Sequence, residues 1–283
     1  NLRGTIKNSD LTISKVRGTI AINTESTDSD LNNLNGNINV TTRGGNISAT
    51  KLSGEMELSV VSGDINIFDC DANSMLTMDN GNIFINGLKG NLLSNTTLGE
   101  TLVSNYEGES SVFNINVGNL KINKSKSNIN ATIDIGSVNV NNIQGATTIF
   151  TGKGEINLNN IIGDVNCNTN FGNVNGINLF GKINANSELG DIEINKGYNS
   201  FLKDHSVNIA TKRGSISVRL PSDLPYTINS QCHNLETRNA ISSEIPLDEE
   251  FLSAKVVGKG KIKEGTISCN LSSNYGPISI FTN

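Results

Sequence analysis

Glycine recurs every nine residues over more than half of this chain. It stands at positions 36, 45, 54 and 63, then at 81, 90, 99 and 108, with Ala72 in the one gap. After a slip of one residue the series resumes at Gly118, passes over Ser127, and continues at 136, 145, 154, 163, 172, 181 and 190. A fixed period of this length means that one small unit is built repeatedly. Such a unit cannot bury an apolar face alone and must stack on its neighbours.

Aligned on glycine, the units read GNINVTTRG, GEMELSVVS, GDINIFDCD and, further on, GEINLNNII and GDIEINKGY. Positions two and four after glycine are apolar, as in Ile38/Val40, Ile65/Ile67, Ile156/Leu158 and Ile192/Ile194, and position three is polar. Alternation with period two describes a short strand with one face inward. Alternate units differ. Every second one has an apolar residue two before the next glycine (Leu34, Leu52, Leu88, Tyr106, Ile143, Ile161), and the others carry Thr42, Val60, Met78, Thr96, Thr151 and Thr169 three before it. The true repeat is therefore 18 residues, two strands joined by two unlike corners. The fold class that follows is all-β, a parallel β-solenoid (β-helix) of two-strand coils, wound right-handed by the general preference of parallel crossovers. At about 4.8 Å per coil, the regular part would reach a length on the order of 50 Å.

Composition supports the same reading. The chain holds 46 Asn and 28 Gly among 283 residues, and no Trp. Asn stacks in coil register on the outside (Asn139, Asn157, Asn175) and in the turn (Asn142, Asn160, Asn178), where it can form amide ladders and tolerates left-handed backbone. Residues 1–198 are expected to be regular repeats. From Asn199 the register is lost, and all four prolines (221, 225, 246, 277) and both histidines (205, 233) lie beyond it. Residues 199–283 are expected to form irregular terminal coils and a cap continuous with the same solenoid, because an open sheet edge invites polymerisation.

Several function classes are disfavoured. A net charge of -5 with 22 scattered Lys and Arg lacks the basic stripe that nucleic acid requires, and no apolar run approaches a transmembrane segment. The acids that follow glycine (Glu55, Asp64, Glu100, Glu109, Glu155, Asp164, Asp191) alternate between sides and leave most neighbours several coils apart, unlike a glycosidase pair. The histidines have no metal-ligand spacing, and Cys70, Cys167, Cys232 and Cys269 form no CxxC. Cys167 falls on an inward position and Cys70 on the apolar corner position, which are places for buried thiols. No nucleophile elbow, phosphate loop or dinucleotide fingerprint is present. The chain is thus expected not to be an enzyme, with no catalytic residue, cofactor or metal.

One outward feature breaks the polar rule at position three. Four successive units carry Met75, Phe84, Leu93 and Leu102 there. Met75 and Leu93 would stack on one face, and Phe84 and Leu102 on the other, near Phe68. Exposed apolar clusters mark contact sites, so these five residues are the candidate partner patch. The competing reading is cover by another segment or a shifted register, since Ser74 and Thr101 occupy inward slots in the same units.

The iterated SGDINI (62–67), NGNIFI (80–85) and LGDIEI (189–194), with the ending RGSISVRLPSDLPYTI and VGKGKIKEGTISCNLSSNYGPISI, resemble the adhesin β-solenoid family, a domain of unknown function with bacterial and eukaryotic members. The resemblance covers nearly the whole chain and brings no catalytic residues. It implies a non-enzymatic structural or interaction module, an adhesin-like scaffold for a protein partner, in an extracytoplasmic or cell-surface setting. Two other readings stand beside it. One is a carbohydrate-binding or carbohydrate-active β-helix protein with a glycan partner, which would call for aromatic platforms. The other is an accessory structural subunit of an organellar, mitochondrial assembly.

Overall fold

The structure, a computed structural model, describes residues 1–233 and 240–283. Among the described residues it is all-β, with parallel strands stacked at 18-residue spacing and no helix. The parallel β-solenoid expected from the repeat is what the chain forms. Two compact units divide it, Asn1–Gly136 and Ser137–Asn283.

In the first unit the inward columns run Ile38–Met56–Ser74–Leu92–Ser111 on one sheet and Ile47–Ile65–Ile83–Thr101–Leu120 on the other. Ser74 and Thr101 are buried in these columns, so the register holds through the units that carry the outward apolar residues. Each is hydrogen-bonded there, Ser74 donating to the Ala72 carbonyl at 3.1 Å and Thr101 sharing a hydroxyl contact with Thr96 at 3.3 Å. The one-residue slip in the glycine series is a β-bulge between Glu107 and Ser110. Buried Tyr106 braces it, donating its hydroxyl toward the Gly90 and Ser110 carbonyls at 2.8 and 2.9 Å.

The corners explain the rest of the repeat. A Cβ on Gly118 would land on the carbonyl of Gly99 one coil earlier, at φ +152°, and Gly81 and Gly63 stand in the same relation. Close approach of successive coils therefore demands glycine as much as the backbone angle does. The other corner turns through a single left-handed residue: Lys15, Asn33, Lys51, Asp69, Asn105 and Lys124 in the first unit, and Asn142, Asn160 and Asn178 in the second, with φ from 51° to 58°. Asn is the side chain that pays least for this conformation. The threonines three before glycine also have a task. In the second unit Thr169, Ser187, Thr211 and Ser273 donate to the carbonyls of Gly154, Gly172, Gly190 and Gly214, one glycine corner back in the stack, at 3.0–3.2 Å.

In the second unit the stacking step changes from 18 to 24 residues, as Ile183 pairs with Val207 and Ile192 with Ile216. The chain leaves the stack after Gly197, whose N–H still donates to the Leu179 carbonyl at 2.9 Å. Lys196, wholly buried, donates Nζ to Leu179, Phe180 and Gly181 at 3.2, 2.7 and 2.6 Å, and His205 Nδ1 lies 3.0 Å from the Phe180 carbonyl. Beyond this point stacking order departs from chain order. Strands Ile267–Ser273 and Ile278–Thr282 lie on Val207–Arg213 and Ile216–Leu220, and Tyr226–Cys232 and Ile241–Ser243 lie outside them. An antiparallel pair, Leu247–Leu252 with Lys255–Lys261, follows on Tyr226–Cys232.

Candidate functional site

Asp and Asn at the position after the glycine corner are fasteners. Asp28, Asn46, Asp64 and Asn82 each accept the backbone N–H of the residue one coil on, at 2.7–3.0 Å. Asp164 and Asp191 do the same for Lys182 and Ser215 at 3.1 and 2.6 Å. A short side chain with an oxygen at this position ties each coil to the next, which is why Gly-Asp and Gly-Asn recur.

The outward faces of the first unit carry the patch residues. Met75 and Leu93 are ladder neighbours on one sheet, and Phe84 and Leu102 are neighbours on the other. Phe68 packs against Phe84 with ring centroids 5.5 Å apart at 48°. The five residues thus form two patches, and they differ in surroundings. The Phe68, Phe84 and Leu102 side chains are half-buried on a flat face, while Met75, 43% exposed, looks into a groove.

That groove, of about 730 Å³, runs along the stack across six rungs. One wall is the column Ala21–Asn39–Glu57–Met75–Leu93–Val112, and the other is Thr19–Asn37–Glu55–Asn73–Asn91–Ser110. Met75, Leu93 and Val112 make an apolar strip three coils long. Immediately beside it stand two carboxylates on one strand, Glu55 and Glu57. Glu57 accepts from the Asn39 amide at 2.6 Å and Glu55 from the Asn73 amide at 3.0 Å, and Asn73 in turn accepts the Asn91 N–H at 3.0 Å. The amides therefore hold both acids in place while leaving them exposed.

Comparison with known protein families, curated proteins and solved structures finds no match to this chain. What the groove can do is read from its own residues. Among the described residues no group of three His, Cys, Asp or Glu side chains could hold a metal ion, and no helix is long and apolar enough to cross a membrane. The four cysteines are free and buried, and burial pushes the Cys167 and Cys269 thiols up to about 12.

Sequence reasoning missed Glu57 and Val112. Glu57 sits at the normally polar position three and drew no notice, and Val112 enters the Met75 column only because of the bulge before it. It also missed the exposed corner column Leu98–Val117–Ile135, each 42–48% accessible. Apolar residues one before glycine in three successive coils were the available signal.

Proposed function

We propose that this protein is a non-enzymatic interaction module, whose first unit holds an extended segment of a protein partner in the groove over Met75 and Leu93. The observation that carries this reading is the apolar strip Met75–Leu93–Val112 set beside Glu55 and Glu57 along one continuous groove. A segment lying along the stack would bury apolar side chains on the strip and place Lys or Arg on the carboxylates. Because the groove walls are hydrogen-bonded strands, the groove itself adds little ordering cost, and that cost falls on the bound segment. The resemblance of the repeat to adhesin-type solenoids supports an extracytoplasmic or cell-surface setting. An organellar, mitochondrial assembly is the competing setting, and fractionation of the native source separates the two.

Selection from a displayed library of extended peptides tests the groove. Selected peptides should pair basic with apolar positions. Met75→Ser with Leu93→Ser should weaken them about tenfold or more. Glu55→Gln with Glu57→Gln should remove most of the salt dependence, and Phe84→Ser with Leu102→Ser, on the opposite sheet, should leave binding intact. A library that yields no binder, or binders indifferent to Met75 and Leu93, would reject the groove.

A further inference from the structure

The second unit carries a different surface, built from amides. Its outward column Phe150–Asn168–Asn186–Ala210–Ser272–Gln231 lies beside a second column, Asn166–Asn184–Asn208–Asn270–Asn229. Asn208 donates to Asn184, Asn270 to Asn208 and Asn229 to Asn270 at 2.8–3.1 Å, and Asn186 donates to Asn168 at 2.8 Å. Each primary amide has two N–H groups and an oxygen with two lone pairs. The ladder uses at most one donor and one acceptor of each, so every amide in it keeps a further donor and acceptor, repeated at about 4.8 Å along the stack. Ala210 interrupts the first column with a short side chain, and two connected hollows of about 330 and 270 Å³ meet there, sharing Asn186, Ala210 and Ser272.

Two further features identify what would lie in this trough. Among its described lining residues the only charges are Glu188 and Lys212, and they neutralise each other in an ion pair at 2.5 Å. Exposed aromatic rings border it: Phe150 heads the amide column at 38% exposure, and Phe171 and Tyr275 adjoin the lining residues Asn170 and Asn274 at 50% and 66%. Lys153 and Arg213 lie over the Phe171 and Tyr275 rings at 5.9 and 5.7 Å, which steadies them. Paired donors and acceptors repeating along a neutral trough, with rings at its margin, suit a chain of hydroxyls with apolar C–H faces.

We propose that this face of the second unit binds a neutral polysaccharide chain running along the stack, its hydroxyls on the Asn and Gln amides and its ring faces on Phe150, Phe171 or Tyr275. The site is separate from the peptide groove of the first unit and does not depend on it. Calorimetric titration with neutral glucan, mannan, xylan and chitin hexasaccharides, and with hexagalacturonate as the anionic probe, tests it. At least one neutral hexasaccharide should bind, and binding should survive about 0.5 M NaCl. Ala210→Arg, which fills the floor, and Tyr275→Ala, on a ring too exposed to matter for folding, should each weaken it about tenfold or more. Met75→Ser with Leu93→Ser should leave it unchanged, so the two sites fail independently. The proposal is overturned if no neutral probe binds at millimolar concentration, if Tyr275→Ala and Ala210→Arg both bind like the parent, or if hexagalacturonate is preferred and salt abolishes its binding.

Discussion

Single side chains in this protein stand where a repeating backbone leaves a local debt. Tyr106 shows it most clearly: most coils place an aliphatic residue at that corner, but beside the bulge at 107–110 a hydroxyl reaches the Ser110 carbonyl and that of Gly90 one coil back. Tyr106→Phe keeps the ring and removes the donor the two carbonyls share, so it should cost about 1 kcal/mol in chemical unfolding, the net worth of a part-buried hydrogen bond. A loss below a few tenths of a kcal/mol would mean that the bulge needs no brace. Glycine at the other corner answers a steric demand instead, since the preceding coil's carbonyl occupies the place of a Cβ. Lys196 meets three carbonyls at once where the chain departs from the stack.

At the scale of the strand, inward and outward positions have opposite tolerances. Ile156 is fully buried, whereas its neighbour Asn157 accepts the Asn175 amide at 2.9 Å on the surface. Ile156→Asp buries an unpaired charge and should abolish cooperative folding of the surrounding coils, while Asn157→Asp, which still accepts that bond, should shift stability by less than about 1 kcal/mol. Thermal unfolding of the two variants side by side distinguishes them. This polarity was legible in the sequence because period two and period nine reinforce each other over many units, down to the slip before Gly118 and the outward placement of Met75, Phe84, Leu93 and Leu102. What could not be read was anything set by lateral neighbours. Glu57 gains meaning only from Met75 one coil on, and the amide trough only from Ala210 lying between Asn186 and Ser272. The terminal strands were illegible for a related reason: their partners are chosen by tertiary order, which no local period encodes.

For the molecule as a whole, the buried ammonium of Lys196 gives stability a pH dependence of definite sign. Burial lowers it from 10.5 to about 7, against the opposing pull of Asp164 and Asp204. Unfolded, this lysine keeps its proton to about 10.5; folded, it releases it near 7, so between those values unfolding takes up a proton. Stability should therefore rise with pH across that interval, by up to about 1.4 kcal/mol per pH unit from this group. Urea titrations of the parent and of Lys196→Met from pH 7 to 10 should diverge accordingly, the parent gaining; parallel curves would show that the carbonyls hold the charged form throughout. The order of the last strands bears on how the molecule is made. Among the described residues, Tyr226–Cys232 and Ile241–Ser243 pair only with strands that follow them in the chain. During synthesis at about 5–20 residues per second, Tyr226–Cys232 and Ile241–Ser243 leave the ribosome before the parallel strands they lie on, within residues 267–282, have been added. Winding can follow translation coil by coil up to Leu220, but the final layer must wait, an unpaired sheet edge in the meantime being the surface on which a chaperone would act.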